Sequence, residues 1–547
     1  MKKLAILSLL TVAAWPQAWA CTSLIAGKQA TADGSVLVTY SADSHTLYGA
    51  LTSSPAADWP KGSMRKIVEW DTNKPLGEIE QVEHTYAVVG NMNEHQLTIV
   101  ESTWGGRPEL VDTTGIIDYG SLIQLGLERA KTAREAIKVM TGLVKKYGYC
   151  SSGESFTIAD PNEVWVMDLI GKGPDRRGAV WVAIRIPDDC IAGHANYPRI
   201  HKIPLDDKEN CLYSPDVISF AREMGYFDGL NKDFSFAQTY YPADFGALRA
   251  CDARVWAFFR KYDSTMDQYL PYINGEVYNP FPLYIKPSRK LTVQDMKDAM
   301  RDHFEGTPFD MTQDVGAGPF KVPYRFRPMS FQVEDKSYCM ERAIATQQTG
   351  FTLVGQMRNW LPDAVGGVLW FGVDDANTCI YVPMYCSITR VPECFSPSNG
   401  SMYDFSWTSA FWVHNWVANM AYARYEPMIG DIRKVQTAIE GSLNARQAAI
   451  DKAAADLYAT SPAEAVAFLT QYSCEAAEAS TARWKQLGEY LMVKFVDGNV
   501  KREENGHFKD NGYGLPDSPL FPGYSQEYYE EIVRQTGDRF LEKAPQF

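Results

Sequence analysis

Short apolar, β-branched stretches bounded by turn residues punctuate the first half of the chain, and this pattern predicts strands. Residues 21–26 and 36–40 flank the turn Ala32-Asp33-Gly34-Ser35 and read as a hairpin. A second hairpin is predicted at residues 86–89 and 97–100, joined by the polar segment 91–96. A third runs over residues 155–159, turns at Asp160-Pro161-Asn162 and returns over 164–169, with further strands at 180–186 and 379–384. Links this short join antiparallel neighbours. Between the second and third hairpins, residues 120–146 carry Ile123, Leu125, Leu127, Ala130, Ala136, Val139 and Leu143 at helical intervals. Beyond residue 400 the texture changes. Residues 428–457 and 462–495 are rich in Ala, Glu, Lys, Gln and Leu and read as long helices. Hairpins with interleaved helical blocks make the fold class α+β. A boundary near residue 400 separates a mixed strand-and-helix region, 21–400, from a mainly helical extension, 401–547, packed on it. Residues 501–523, rich in Gly, Pro, Asn and charge, predict an irregular tail. No internal repeat marks a solenoid.

The first residues break this pattern. Lys2 and Lys3 precede an apolar run over residues 4–14, and Ala18-Trp19-Ala20 stands directly before Cys21. This is a secretory signal over residues 1–20, with small residues where a signal peptidase reads. The expected location is therefore periplasmic or extracellular. The apolar run is about half of the roughly 20 residues that span a bilayer, so no integral membrane segment is expected after its removal. A cysteine after a cleavage site is also the acceptor for lipid anchoring, which would make the chain a surface lipoprotein, but Ala18 and Trp19 fit that signal poorly. The net charge of -14 becomes -16 once Lys2 and Lys3 are gone, because the signal holds no acid. Such a surface disfavours nucleic acid and anionic lipid as partners.

Ten cysteines stand at 21, 150, 190, 211, 251, 339, 379, 386, 394 and 474, and no Cys-x-x-Cys pair occurs. Metal-finger and thioredoxin-type readings fail on that spacing. Export makes disulfides plausible; setting Cys21 aside leaves an odd number, so at least one further thiol stays free. The Gly-x-Ser-x-Gly, His-Glu-x-x-His and phosphate-loop signatures are absent. His194 and His201 read as structural or surface histidines. What remains is Cys21 at a newly made amino terminus. A terminal amine with a pKa of about 7.7–8.0 can take a proton near neutral pH, and it lies within reach of its own side-chain sulfur, so one residue supplies nucleophile and base. The expected chemistry is amide hydrolysis with no metal or organic cofactor.

Further blocks carry a wider resemblance. Cys21-Thr22-Ser23-Leu24-Ile25-Ala26-Gly27-Lys28, followed by Ala32-Asp33-Gly34-Ser35 and Asp43-Ser44, is similar to the mature start of the dipeptidase A family. Met92-Asn93-Glu94-His95, Glu101-Ser102-Thr103, Gly153-Glu154-Ser155-Phe156, Ala159-Asp160-Pro161-Asn162-Glu163-Val164-Trp165, Trp181-Val182-Ala183, Ile186-Pro187-Asp188-Asp189 and His194-Ala195-Asn196 continue it in order over residues 21 to about 260. The resemblance implies a four-layer αββα sandwich of the N-terminal nucleophile hydrolases. It also implies cleavage of dipeptides or short peptides through a thioester, and kinship with penicillin V acylases and bile salt hydrolases. By position, Asp43 would hold the Cys21 amine and Asn196 would donate to the oxyanion, a contact worth about 3–4 kcal/mol of barrier. Arg254 matches the active-site arginine of the acylase branch, and Thr103 falls where acylases place another oxyanion-side residue. One departure stands out: relatives commonly carry Arg three positions before the match to Asp43, and this chain has Tyr40. Tyrosine donates a hydrogen bond without a fixed charge. Either Arg254 supplies the charge alone, or the pocket prefers another substrate end, or the site is weakened. The rival readings are an amidase or acylase of nonpeptide amides with the same nucleophile, and a peptide-binding lipoprotein without catalysis. Oligomerisation is not readable from the chain.

Overall fold

The computed structural model describes residues 21–544; the expected signal, residues 1–20, lies outside them. The fold is α+β. A seven-stranded antiparallel sheet has the order Tyr284–Ile285, Ile191–His194, Ser23–Ala26, Val36–Asp43, Thr349–Met357, Val368–Val373, Val382–Tyr385. An eight-stranded antiparallel sheet has the order Cys211–Tyr213, Ala179–Ile186, Val164–Gly171, Gly153–Ala159, Thr98–Trp104, Met92–Asn93, Val88–Val89, Ser53–Ser54.

Side-chain alternation along the strands divides the second sheet between two cores. Val164, Val166, Ile170, Val180, Val182 and Ile184 face the large core that contains the first sheet. Trp165, Met167, Leu169, Phe156 and Ile158 face a smaller core built with the helices Tyr119–Arg129 and Ala133–Tyr147. Polar contacts cross between the sheets. Ser23 Oγ lies 2.9 Å from Thr157 Oγ1, and His194 meets Ser102 Oγ at 2.6 Å through Nδ1 and Thr157 Oγ1 at 2.8 Å through Nε2. His194 is structural, as the sequence reads: both ring nitrogens are used, and burial drives its pKa down to about 3.

The helical stretch 120–146 is two helices. Ala130 is extended, and Thr132 caps the second helix by accepting from the N–H of Glu135, a Thr-x-x-Glu start signal visible in the sequence. The second predicted hairpin is a tighter meander, because residues 92–93 pair with both 88–89 and Thr98. The predicted strand 379–384 starts at Val382, as Asp375 accepts the N–H groups of Thr378 and Cys379 in a turn. The long helices are Tyr425–Tyr458 and Pro462–Lys494. They share one apolar core with Cys21 and the first sheet, and buried Glu440 ties the helix Tyr425–Tyr458 to the rest by accepting from the N–H of Tyr381 at 2.9 Å and from Arg301 at 2.6 Å. Disulfides are not formed: all ten cysteines are unpaired thiols. Among the described residues no helix is long and apolar enough to cross a membrane, and no group of three or more His, Cys, Asp or Glu is arranged to hold a metal ion.

Candidate active site

Cys21 stands just before the strand Ser23–Ala26, where Thr22 pairs with Ser41 in both hydrogen-bonding directions at 3.4 and 3.0 Å. That pairing sets Cys21 beside the end of the strand Val36–Asp43, close to Tyr40, Ala42 and Asp43. All four line a cavity of about 360 Å³ between the sheet and the helix Tyr119–Arg129, a size suited to a small ligand. The cysteine is 4% exposed, and its Sγ lies 3.7 Å from the Tyr40 hydroxyl. Burial pushes the thiol well above its ordinary pKa, the charges of Glu101 and Asp43 push it further, and the Asp43 backbone hydrogen bond pulls back less strongly.

Behind Tyr40 lies a buried acidic pair. Antiparallel register sets Glu101 opposite Phe156 and Thr103 opposite Glu154, so the two glutamates are diagonal neighbours. Tyr40 donates its hydroxyl proton to Glu101 Oε1, and Thr103 donates to Glu154 Oε2 at 3.0 Å. Burial and then the Glu101 charge hold the Glu154 carboxyl well above the carboxylate range. Nearby, Tyr119 donates to Asp71 Oδ1 at 2.7 Å. Burial raises Asp71 to about 6, and its Tyr119 hydrogen bond opposes the rise.

Asp43 is fixed from three sides. Thr349 donates to Oδ1 at 2.6 Å, Ser41 donates to Oδ2 at 3.1 Å, and Arg342 donates to the same Oδ2. Asn196 follows the strand Ile191–His194 in a left-handed conformation, φ 57°, which Asn tolerates better than most residues. Its Nδ2 donates to the Thr103 carbonyl at 2.5 Å. Arg254 enters from the helix Ala253–Arg260, which follows a widened turn at Ala247–Asp252. Its guanidinium donates to the carbonyls of Ala250, Cys21 and Ala195 at 2.8, 2.8 and 3.2 Å, to Thr22 Oγ1 at 2.8 Å and to Asn196 Oδ1 at 2.8 Å. One planar fork therefore sets the position of Cys21 relative to Asn196.

The structure thus gathers Cys21, Asn196 and Arg254 in one hydrogen-bonded unit and puts Asp43 beside Cys21 on the cavity wall. Thr103 joins them through its carbonyl, not its hydroxyl, which is turned toward Glu154. Glu101, Glu154, Arg342, Asp71 and Tyr119 are functional-site residues that no sequence motif singles out. A signal existed for the two glutamates, since each interrupts an otherwise β-forming run, Ile99-Val100-Glu101-Ser102-Thr103-Trp104 and Gly153-Glu154-Ser155-Phe156-Thr157. Arg342 had none, because it reaches Asp43 across 299 positions of chain.

Residues 20–438 match the model of peptidase family C69. A probable dipeptidase of Latilactobacillus sakei is 26% identical over 498 residues, covering 86% of this chain and 94% of its own. One from Salmonella dublin is 26% identical over 393 residues, covering 67% and 81%. Probable dipeptidase B of Streptococcus pyogenes serotype M1 is 24% identical over 518 residues, covering 91% and 98%. With the greater part of its length matched to that model, the chain belongs to peptidase family C69.

Proposed function

We propose that the protein is an exported dipeptidase whose nucleophile is the Cys21 sulfur, exposed with its own amine when residues 1–20 are removed. The observation that carries this reading is the position of Cys21: on the wall of a small cavity, with its carbonyl gripped by the same guanidinium that orients Asn196. The inter-sheet contacts, with helices on the far sides of both sheets, support an αββα sandwich of the N-terminal nucleophile kind.

A buried thiol whose pKa is raised rests as S–H, so attack needs a base that takes the proton as the C–S bond forms. The Cys21 amine fills that role, held by the fixed carboxylate of Asp43. As sulfur adds to the peptide carbonyl, the oxygen takes negative charge and meets an Asn196 N–H together with backbone donors. The amine then returns the proton to the departing nitrogen, the C–N bond breaks, and a thioester remains on Cys21. Water adds to the thioester with the amine again as base, and the acid leaves as the thiol is restored.

The test is release of free amino acids from a dipeptide panel by processed protein, beside Cys21→Ala and by precursor that retains residues 1–20. Turnover only in processed wild-type protein is expected. Turnover by the precursor or by Cys21→Ala would refute the mechanism, and an acylated Cys21 in the mass spectrum of the mature terminus would move the reading to a binding lipoprotein.

A further inference from the structure

The cavity has a polarity that selects one end of a peptide. Among the described residues no Lys or Arg lines it, so a substrate carboxylate finds no ion-pair partner in that wall. Two phenols of the cavity wall, Tyr40 and Tyr119, have committed their protons to carboxylates: Tyr40 donates to Glu101 and Tyr119 donates to Asp71. A phenol oxygen whose hydrogen is given to a carboxylate presents only lone pairs to the cavity, and its acceptor strength is raised by the charge behind it. The complementary ligand is a cationic donor. An ammonium group carries three N–H donors and meets such oxygens in charge-assisted hydrogen bonds.

Distance narrows the choice. In an α-aminoacyl group the nitrogen lies about 2.5 Å from the carbonyl carbon by standard bond lengths, and that carbon must approach sulfur to about 3–3.5 Å before reaction. The Tyr40 hydroxyl, 3.7 Å from Cys21 Sγ, is therefore within hydrogen-bond reach of the α-nitrogen of the substrate residue whose acyl group passes to sulfur. Leu47, Leu51, Ile123, Phe351 and Phe371 form the apolar part of the same wall, a place for that residue's side chain.

Resting on the peptidase reading, we infer that Tyr40 and Tyr119, each polarised by the carboxylate that accepts its proton, are the specificity element that binds the free α-ammonium of the substrate's first residue. Substrates are then unblocked peptides with an apolar first residue, and N-acylated or des-amino amides are excluded at this subsite.

The experiment compares Leu-Ala with its des-amino analogue, 4-methylpentanoyl-Ala, which keeps the scissile bond and the side chain and lacks only the ammonium. Loss of one or two charge-assisted hydrogen bonds predicts kcat/KM about 10- to 100-fold lower for the analogue. Tyr119→Phe should raise KM for Leu-Ala about 10-fold, with kcat little changed and the analogue unaffected. Asp71→Asn, which keeps the shape and removes the charge, should move KM in the same direction by less. Equal cleavage of the two substrates would overturn the assignment while leaving the Cys21 hydrolase intact, and so would a Tyr119→Phe defect identical on both, which marks a purely structural tyrosine. Calorimetric binding of the same pair to Cys21→Ala repeats the comparison without turnover. A preference for Leu-Ala there, in a protein whose wild type cleaves no dipeptide, would keep the ammonium subsite and sink the peptidase reading; no preference would overturn the subsite.

Discussion

Replacing Arg254 with lysine tests whether one side chain couples the nucleophile to the oxyanion donor. Five of the guanidinium's hydrogen bonds go to uncharged acceptors. A lysine ammonium has three donors, so at least two of these buried acceptors lose their partner. At about 1–3 kcal/mol for each buried acceptor left unsatisfied, the variant should be about 2–6 kcal/mol less stable. For 547 residues the unfolding entropy is about 1.1 kcal/mol/K, which makes this a drop of about 2–5 °C in the thermal midpoint, readable by calorimetry. The catalytic consequence is separate. Asn196 Oδ1 loses the donor that fixes its amide plane, and an oxyanion donor is worth about 2.7–4 kcal/mol, so kcat should fall by about 100-fold with KM changed far less. A lowered midpoint with kcat held within about threefold would refute the coupling and leave Arg254 as a structural brace.

Three further outcomes are expected. In precursor retaining residues 1–20, Cys21 should alkylate slowly at pH 7 and faster as pH rises, because burial and the Glu101 and Asp43 charges hold the thiol proton; iodoacetamide labelling as fast as in processed protein would show that the amine does not activate the sulfur. Asp71 ionises at about 6 and faces Tyr119, Glu69, Glu101 and Asp118, so KM for Leu-Ala should rise as pH falls through that value and its carboxyl becomes a donor; a low-pH rise that persists in Asp71→Asn would assign the effect to another group. Glu154 has its pKa raised in the fold, so the folded state holds more protons than the unfolded one and stability falls as pH climbs above the unfolded glutamate value of about 4.3; Glu154→Gln should remove that slope and gain most at alkaline pH, and parallel midpoint curves for the two proteins would refute a neutral Glu154.

What the chain discloses by itself is local in origin. The outer hairpins at 155–159 and 164–169 and the long helices after residue 400 follow from side-chain period and turn chemistry, which act within a few residues. Cys21 is legible because a processing signal marks it, and Asp43, Asn196 and Arg254 because they sit in or beside blocks that resemble a family. The break at Ala130 was legible as well, through Thr132 and Glu135, but the apolar spacing runs on across it. The tertiary structure alone decided the rest. Register between the strands Thr98–Trp104 and Gly153–Ala159 makes Glu101 and Glu154 neighbours and presses them behind Tyr40. Closure of the cavity by Tyr119 and the approach of Arg342 to Asp43 join segments 98 and 299 positions from Cys21 and Asp43, respectively. Local propensity sets how each segment folds; which charges share a low-dielectric space depends on how distant segments pack, and that packing sets the resting protonation of the thiol and the polarity of its pocket.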